Sequence, residues 1–183
     1  MRLFFAIELE SYIKDYLYNI QNNIRQYCTA GNFSYKENFH LTLRFMGEQN
    51  PEQAQALKSA LQHTAGRIHG FELKLDGIGK FDRGNRKIIW VGLQKSPQLK
   101  LLYGELENEL SRWGYQKEER GLNPHITFAR EVRIEDYSRM EANINVENKV
   151  ISVNSVSLME STRIENKLAY IAIAKNDLLA REI

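Results

Sequence analysis

Phe39-His40-Leu41-Thr42-Leu43 alternates polar and apolar side chains, and Pro124-His125-Ile126-Thr127-Phe128 repeats the pattern 85 residues later. Successive side chains on a strand leave opposite faces, so each His lies beside its own Thr while Leu41, Leu43, Ile126 and Phe128 anchor the other face. The chain has four His and only five Thr. Two His-X-Thr pairs arise by chance in roughly half a percent of such chains, before matching apolar neighbours are demanded. The repeat therefore organises the fold: two half-buried strands, each offering one imidazole and one hydroxyl.

Upstream of the first motif, residues 2 to 8 are dense in apolar and aromatic side chains and read as a buried strand. Ile13, Tyr16/Leu17, Ile20, Ile24 and Tyr27/Cys28 then recur at helical spacing, with Ser11 as the expected cap and Gly31-Asn32 as the break. Phe45 falls with Leu41 and Leu43, and Arg44 with His40 and Thr42. Asn50-Pro51 opens a second helix carrying Ala54, Leu57, Leu61, Ala65 and Ile68. Phe71 to Leu75 and Lys87 to Leu93 read as an antiparallel pair, joined through a segment around Lys80-Phe81-Asp82-Arg83-Gly84-Asn85 with hairpin-loop composition. Ser96-Pro97 opens a third helix that stops at Gly114. The second motif follows, then a short helical stretch at Tyr137 to Met140 and β-rich runs at Val150 to Met159 and Leu168 to Ala174.

Composition bounds the rest. The 183 residues carry 25 Lys+Arg against 23 Asp+Glu, 43% hydrophobic residues, three Pro and one Cys. Collagen-like, low-complexity and wholly disordered classes are excluded. Cys28 alone forms no internal disulfide, and a reducing cytoplasm fits. The apolar run after Arg2 is ended by Glu8 and Glu10, and no stretch approaches the roughly 20 apolar residues of a membrane span. No linker divides the chain, so a single domain over 1–183 is expected, without an obligate protein partner and monomeric. Each half contains helices around a His-strand, which suggests two lobes related by a pseudo-two-fold axis, each lending one His-Thr pair to a central groove.

Such a groove brings two imidazoles and two hydroxyls face to face. Histidine's ordinary pKa of about 6.5 lets one ring be neutral and one protonated near neutral pH, the pairing that concerted base and acid catalysis requires. Thr hydroxyls and imidazolium are donors suited to the nonbridging oxygens of a phosphodiester. A metal site competes, but neither motif carries a third Asp, Glu or Cys ligand at fixed near spacing, so no metal and no cofactor are expected. His63 and His69 read as solvated.

The stretches MRLFFAIEL, NFHLTLRFMGE, KIIWVGL and NPHITFAR, in this order and spacing, resemble the two-histidine phosphoesterase superfamily. Within it the sequence is most similar to the RNA 2′,3′-cyclic phosphodiesterases, also called 2′-5′ RNA ligase-like. The resemblance implies an α+β, bilobal fold of antiparallel sheets with outer helices, in which His40 and His125 are catalytic and Thr42, Thr127 and Arg130 bind the phosphate. Arg130 has the wrong parity to join His125 on an unbroken strand, so a bulge or the strand's end must redirect it. Phe5, Phe45 and Trp90 match aromatic positions of the family, either stacking on bases or packing in the core. Arg44 would add charge to the groove, and Glu118-Glu119 bring negative charge to the approach of the second motif.

The activity implied is metal-independent opening of a terminal RNA 2′,3′-cyclic phosphate to a 2′-phosphate, with His125 as base and His40 as acid. Run backwards, it joins a cyclic end to a 5′-hydroxyl without ATP. Its partners are RNA ends or nucleotides bearing the cyclic phosphate. Two alternatives stay open: a cyclic phosphodiesterase acting on a small nucleotide or ADP-ribose cyclic phosphate, and a non-catalytic RNA-end binding module.

Overall fold

The computed structural model describes residues 1–181. Among them the order is β1 (Arg2–Glu8), α1 (Ser11–Arg25), β2 (Cys28–Phe33), a 3-10 turn (Lys36–Asn38), β3 (His40–Glu48), α2 (Pro51–Ala65), β4 (Phe71–Arg83), β5 (Arg86–Leu93), α3 (Pro97–Arg112), β6 (His125–Ile134), α4 (Tyr137–Asn143), β7 (Val150–Val153), β8 (Ser155–Ile164) and β9 (Lys167–Asp177). Two antiparallel sheets result, one ordered β3-β1-β8-β9 and the other β2-β6-β5-β4-β7. This is the expected mixed α+β architecture, with one His-Thr strand in each sheet. The sheets are not the two halves of the chain, however: β2 crosses into the sheet of β6, and β8 with β9 complete the sheet of β3.

The helices form where their caps and stripes predict, with two differences. Asn50 and Gln53 satisfy each other's backbone N–H groups in a capping box ahead of Pro51, and the Ser96 hydroxyl accepts from Leu99 N. Ser11 is the first helical residue rather than the cap; Glu10 precedes it, and its carbonyl, not a side chain, takes the first bonds. The helix ends at Arg25, and Cys28–Phe33 is an edge strand where a break was expected. Gly31 is needed there for close approach, since a Cβ would sit 3.1 Å from Val132.

The expected loop after Leu75 is also strand. The strand continues to Arg83 past one irregularity between Leu75 and Ile78, and only Gly84, at φ 60°, and Asn85 turn the chain. The run 150 to 159 is interrupted at Asn154, giving two strands that join different sheets. Buried apolar residues from both sheets and all four helices, including Ile13, Leu57, Leu106, Ile126 and Met140, form one continuous core beneath the sheets.

Candidate active site

The groove is made by two bulges at corresponding places. In β3, Thr42 opposes Ala6 and Arg44 opposes Phe5, so Leu43 is an extra residue. In β6, Thr127 opposes Trp90 and Ala129 opposes Ile89, so Phe128 is extra. An extra residue reverses the parity of everything after it. His40 and Thr42 therefore share the groove face with Phe45, and His125 and Thr127 share theirs with Arg130. These side chains line one cavity of about 790 Å³. Behind the two strands, Phe39 and Phe128 pack edge to face in the core, with centroids 5.9 Å apart.

The two imidazoles are held alike. His40 Nδ1 lies 2.7 Å from Asn38 O, and His125 Nδ1 lies 2.8 Å from Asn123 O. A carbonyl only accepts, so each Nδ1 carries the proton and each Nε2 keeps a lone pair. Around Nε2 the copies differ. Thr42 Oγ1 donates to His40 Nε2 at 2.8 Å, whereas His125 Nε2 has no hydrogen-bond partner among the described residues. Rings wall both imidazoles: Phe4 and Tyr170 have centroids 4.9 and 5.0 Å from His40, and Phe81 and Trp90 have centroids 5.0 and 6.0 Å from His125.

Burial behind these rings pushes the His40 pKa down to about 4, with the Asn38 carbonyl opposing and the charges of Lys14, Arg130 and His125 adding to the drop. Burial also lowers His125, aided by Arg130 and opposed by Asn123. Both shifts favour the neutral rings at pH 7.

Three sequence expectations are corrected, two of them by the bulge in β3. Phe5 points away from the groove and is completely buried in the core, while its neighbour Phe4 lines the cavity. Arg44 also turns from the groove: Nε lies 3.2 Å from Glu107 and Nη1 lies 2.6 Å from Glu118, so its charge is neutralised. Phe45, expected on the Leu41 face, stands in the groove, about half exposed, beneath the Arg2 guanidinium. Glu118 reaches the cavity with its charge already matched by Arg44. Trp90 lies flat over Gly79, where any Cβ would overlap the indole at 2.2 Å. His63 lies outside the groove, 3.6 Å from Glu109.

Other residues of the site escaped the sequence reading. Asn38 and Asn123 precede both histidines by two, so the repeat extends to Asn-X-His-X-Thr, and this longer match was the available signal. The Asn38 amide also clamps β9, donating to Leu168 O at 2.8 Å and accepting from Tyr170 N at 3.2 Å. Gln21, fully buried on α1, donates at 2.8 Å to both Ser34 O and Phe128 O, fixing the carbonyl of the bulged residue. Nothing local marks Gln21, since its partner is 107 residues away.

Comparison with known proteins places this geometry in a family. The model of the 2′-5′ RNA ligase superfamily matches residues 19–165. The RNA 2′,3′-cyclic phosphodiesterase of Thermotoga maritima is 33% identical over 134 residues, spanning 71% of this chain and 70% of that protein. The Escherichia coli protein of the same name is 35% identical over 133 residues, spanning 71% and 72%. The crystal structure of E. coli LigT complexed with 3′-AMP superposes with a TM-score of 0.74 at 28% identity, covering 97% of each chain. With most of its length matched by the family model and relatives above 30% identity, the chain belongs to the 2′-5′ RNA ligase superfamily.

Proposed function

We propose that this protein is a phosphodiesterase that opens terminal RNA 2′,3′-cyclic phosphates to 2′-phosphates through His40 and His125, without a metal ion. The observation that carries the reading is the pair of Nδ1-anchored imidazoles with both Nε2 atoms facing one groove, beside Thr42, Thr127 and an Arg130 guanidinium that has no ion-pair partner among the described residues. The names of the relatives supply the substrate class. Among the described residues, no three His, Cys, Asp or Glu side chains are grouped to hold a metal.

In the reaction, one Nε2 takes a proton from water while the water oxygen attacks phosphorus. The P–O3′ bond breaks, and the second imidazole, protonated on Nε2, gives that proton to O3′. The product carries a 2′-phosphate and a 3′-hydroxyl. Thr127 and Arg130 hold the nonbridging oxygens as charge builds on them, joined by Thr42 once its hydroxyl turns from His40 Nε2 to the substrate and leaves that lone pair to the water. The sequence reading leans to His125 as base, but burial and the Thr42 hydrogen bond favour the reverse. His40 is the ring more firmly held neutral, and His125 is the ring whose Nε2 is free to carry a proton. With a 5′-hydroxyl attacking in place of water and O3′ leaving as before, the same step is the 2′-5′ joining reaction.

The test is incubation of the purified chain with an oligonucleotide ended in a 2′,3′-cyclic phosphate in the presence of EDTA, with identification of the product end. A 2′-phosphate formed at an undiminished rate is expected. A rate restored only by a divalent ion overturns the metal-free mechanism, and a 3′-phosphate product overturns the assignment of the leaving oxygen.

A further inference from the structure

We infer that the β4–β5 hairpin is a track for the RNA strand upstream of the cyclic end, with Arg83 holding the next backbone phosphate; this rests on the cyclic-phosphodiesterase reading. The hairpin is the element that the sequence pattern assigned to loop. Because β4 pairs one-to-one with β5 from Ile78 to Arg83, beyond an irregularity between Leu75 and Ile78, the side chains of Phe81 and Arg83 share the face that Gly79 leaves open, and Phe81 is the ring set against His125. Two residues on a strand advance about 6.6 Å. Arg83 thus stands one step beyond the ring that walls the catalytic imidazole, a stride comparable to that between successive phosphates of a nucleic-acid strand. The cavity holding both histidines extends to it.

The charges of the hairpin are sorted by face. On the far face Asp82 is claimed by two lysines, at 2.5 Å from Lys80 and 2.7 Å from Lys87, which hold its carboxyl down at about 2. On the groove face Arg86, opposite Arg83, is engaged with Glu131 O at 3.2 Å. Arg83 is exposed and has neither a hydrogen bond nor an ion pair among the described residues. An unmatched guanidinium at the mouth of a phosphate groove suits a phosphodiester, which it grips in a forked contact that Lys cannot copy. Bases attached to that strand are left in solvent, so the contact selects for chain length and not for sequence.

The experiment compares a trinucleotide with a mononucleotide, both ended in a 2′,3′-cyclic phosphate, on the wild type and on Arg83→Gln, an exposed substitution. Binding of a trinucleotide 2′-phosphate is measured alongside. Arg83→Gln should raise KM for the trinucleotide about 5- to 20-fold and leave kcat and the mononucleotide KM unchanged. It should weaken trinucleotide binding similarly and flatten its dependence on log salt by about 0.7. Equal effects on both substrates, or none on the trinucleotide, overturn the track. If the wild type turns over neither substrate but Arg83-dependent trinucleotide binding persists, the hydrolase reading falls and the track stands.

Discussion

Phe45 and Arg130 occupy the same place in the two motifs, each five residues after its histidine and each turned into the groove by one bulged residue, Leu43 or Phe128. The duplicated strand geometry thus delivers an aromatic ring to one wall and a guanidinium to the other. A nucleotide presents matching faces: an apolar base and an anionic phosphate. Arg130→Ala should therefore slow kcat/KM by about 1.5–3 kcal/mol, the worth of a hydrogen bond to a charged group, with Arg130→Lys recovering only part. Phe45→Ala should act on KM, by the 1–3 kcal/mol or so of a lost base stack. Steady-state kinetics on an oligonucleotide cyclic phosphate checks both. Wild-type constants in both Arg130 variants would remove it from the site.

Gln21 sets this arrangement from outside the groove. Phe128 O accepts from Gln21 Nε2 and from Ser34 N, while Ser34 Oγ donates to Thr127 O, so one buried amide ties α1 and β2 to the bulge that aims Arg130. Gln21→Met keeps the volume but strips both carbonyls of a donor, which should cost about 1–3 kcal/mol of stability in urea melts. If Gln21 acts by positioning Arg130, its kinetic cost should largely vanish in an Arg130→Ala background. Additive kinetic losses would leave it a structural role alone.

Much of this was readable from the chain because strand alternation and helix caps are local. The His-Thr pairs, Asn50, Ser96 and the need for a bulge or strand end to redirect Arg130 all follow from short-range rules. What escaped was set by pairing over long distances. Gly31 looks like a breaker but lies where β2 meets Val132, and Gly79 looks like a loop residue but lies under Trp90. The bulge at Leu43 is invisible in an unbroken alternation, so Arg44 and Phe45 exchange faces, while β1 is buried on both faces and its apolar run does not say that Phe4 rather than Phe5 lines the groove.

The histidines should behave as one unit. His40→Ala and His125→Ala should each lower turnover by about 10²- to 10⁴-fold, and the double variant should fall far short of the product, because an acid without its base has little left to do. Single-turnover rates in the four proteins test this. A single variant retaining half its activity would release that ring from its role.

Stability should report on His40 separately from catalysis. Its pKa is about 4 folded and about 6.5 unfolded, so above pH 6.5 neither state is protonated. Between pH 6.5 and 4 the unfolded chain takes up a proton that the folded chain refuses, and stability falls as pH drops. His125, also lowered, adds in the same direction. Urea midpoints from pH 8 to 4 should decline, less steeply in His40→Asn. An unchanged slope in that variant would deny the buried, neutral state of the ring.

The pH dependence of the reaction separates base from acid. The profile of kcat/KM reports the free enzyme, in which the base must be neutral and the acid protonated. With His40 as base, the acidic limb should lie near pH 4, where that ring protonates. With His125 as acid, the alkaline limb should lie below 6.5, since burial and Arg130 lower it. The optimum of kcat/KM is therefore acidic, and activity declines through neutrality. Bound phosphate favours protonation of both rings, so the profile of kcat should move to higher pH. The two apparent values belong to the coupled pair, and single variants assign them. Residual activity of His40→Ala should lose the acidic limb, and that of His125→Ala the alkaline limb. The opposite pattern would restore His125 as base, and a flat profile from pH 5 to 9 would end paired catalysis by these two rings.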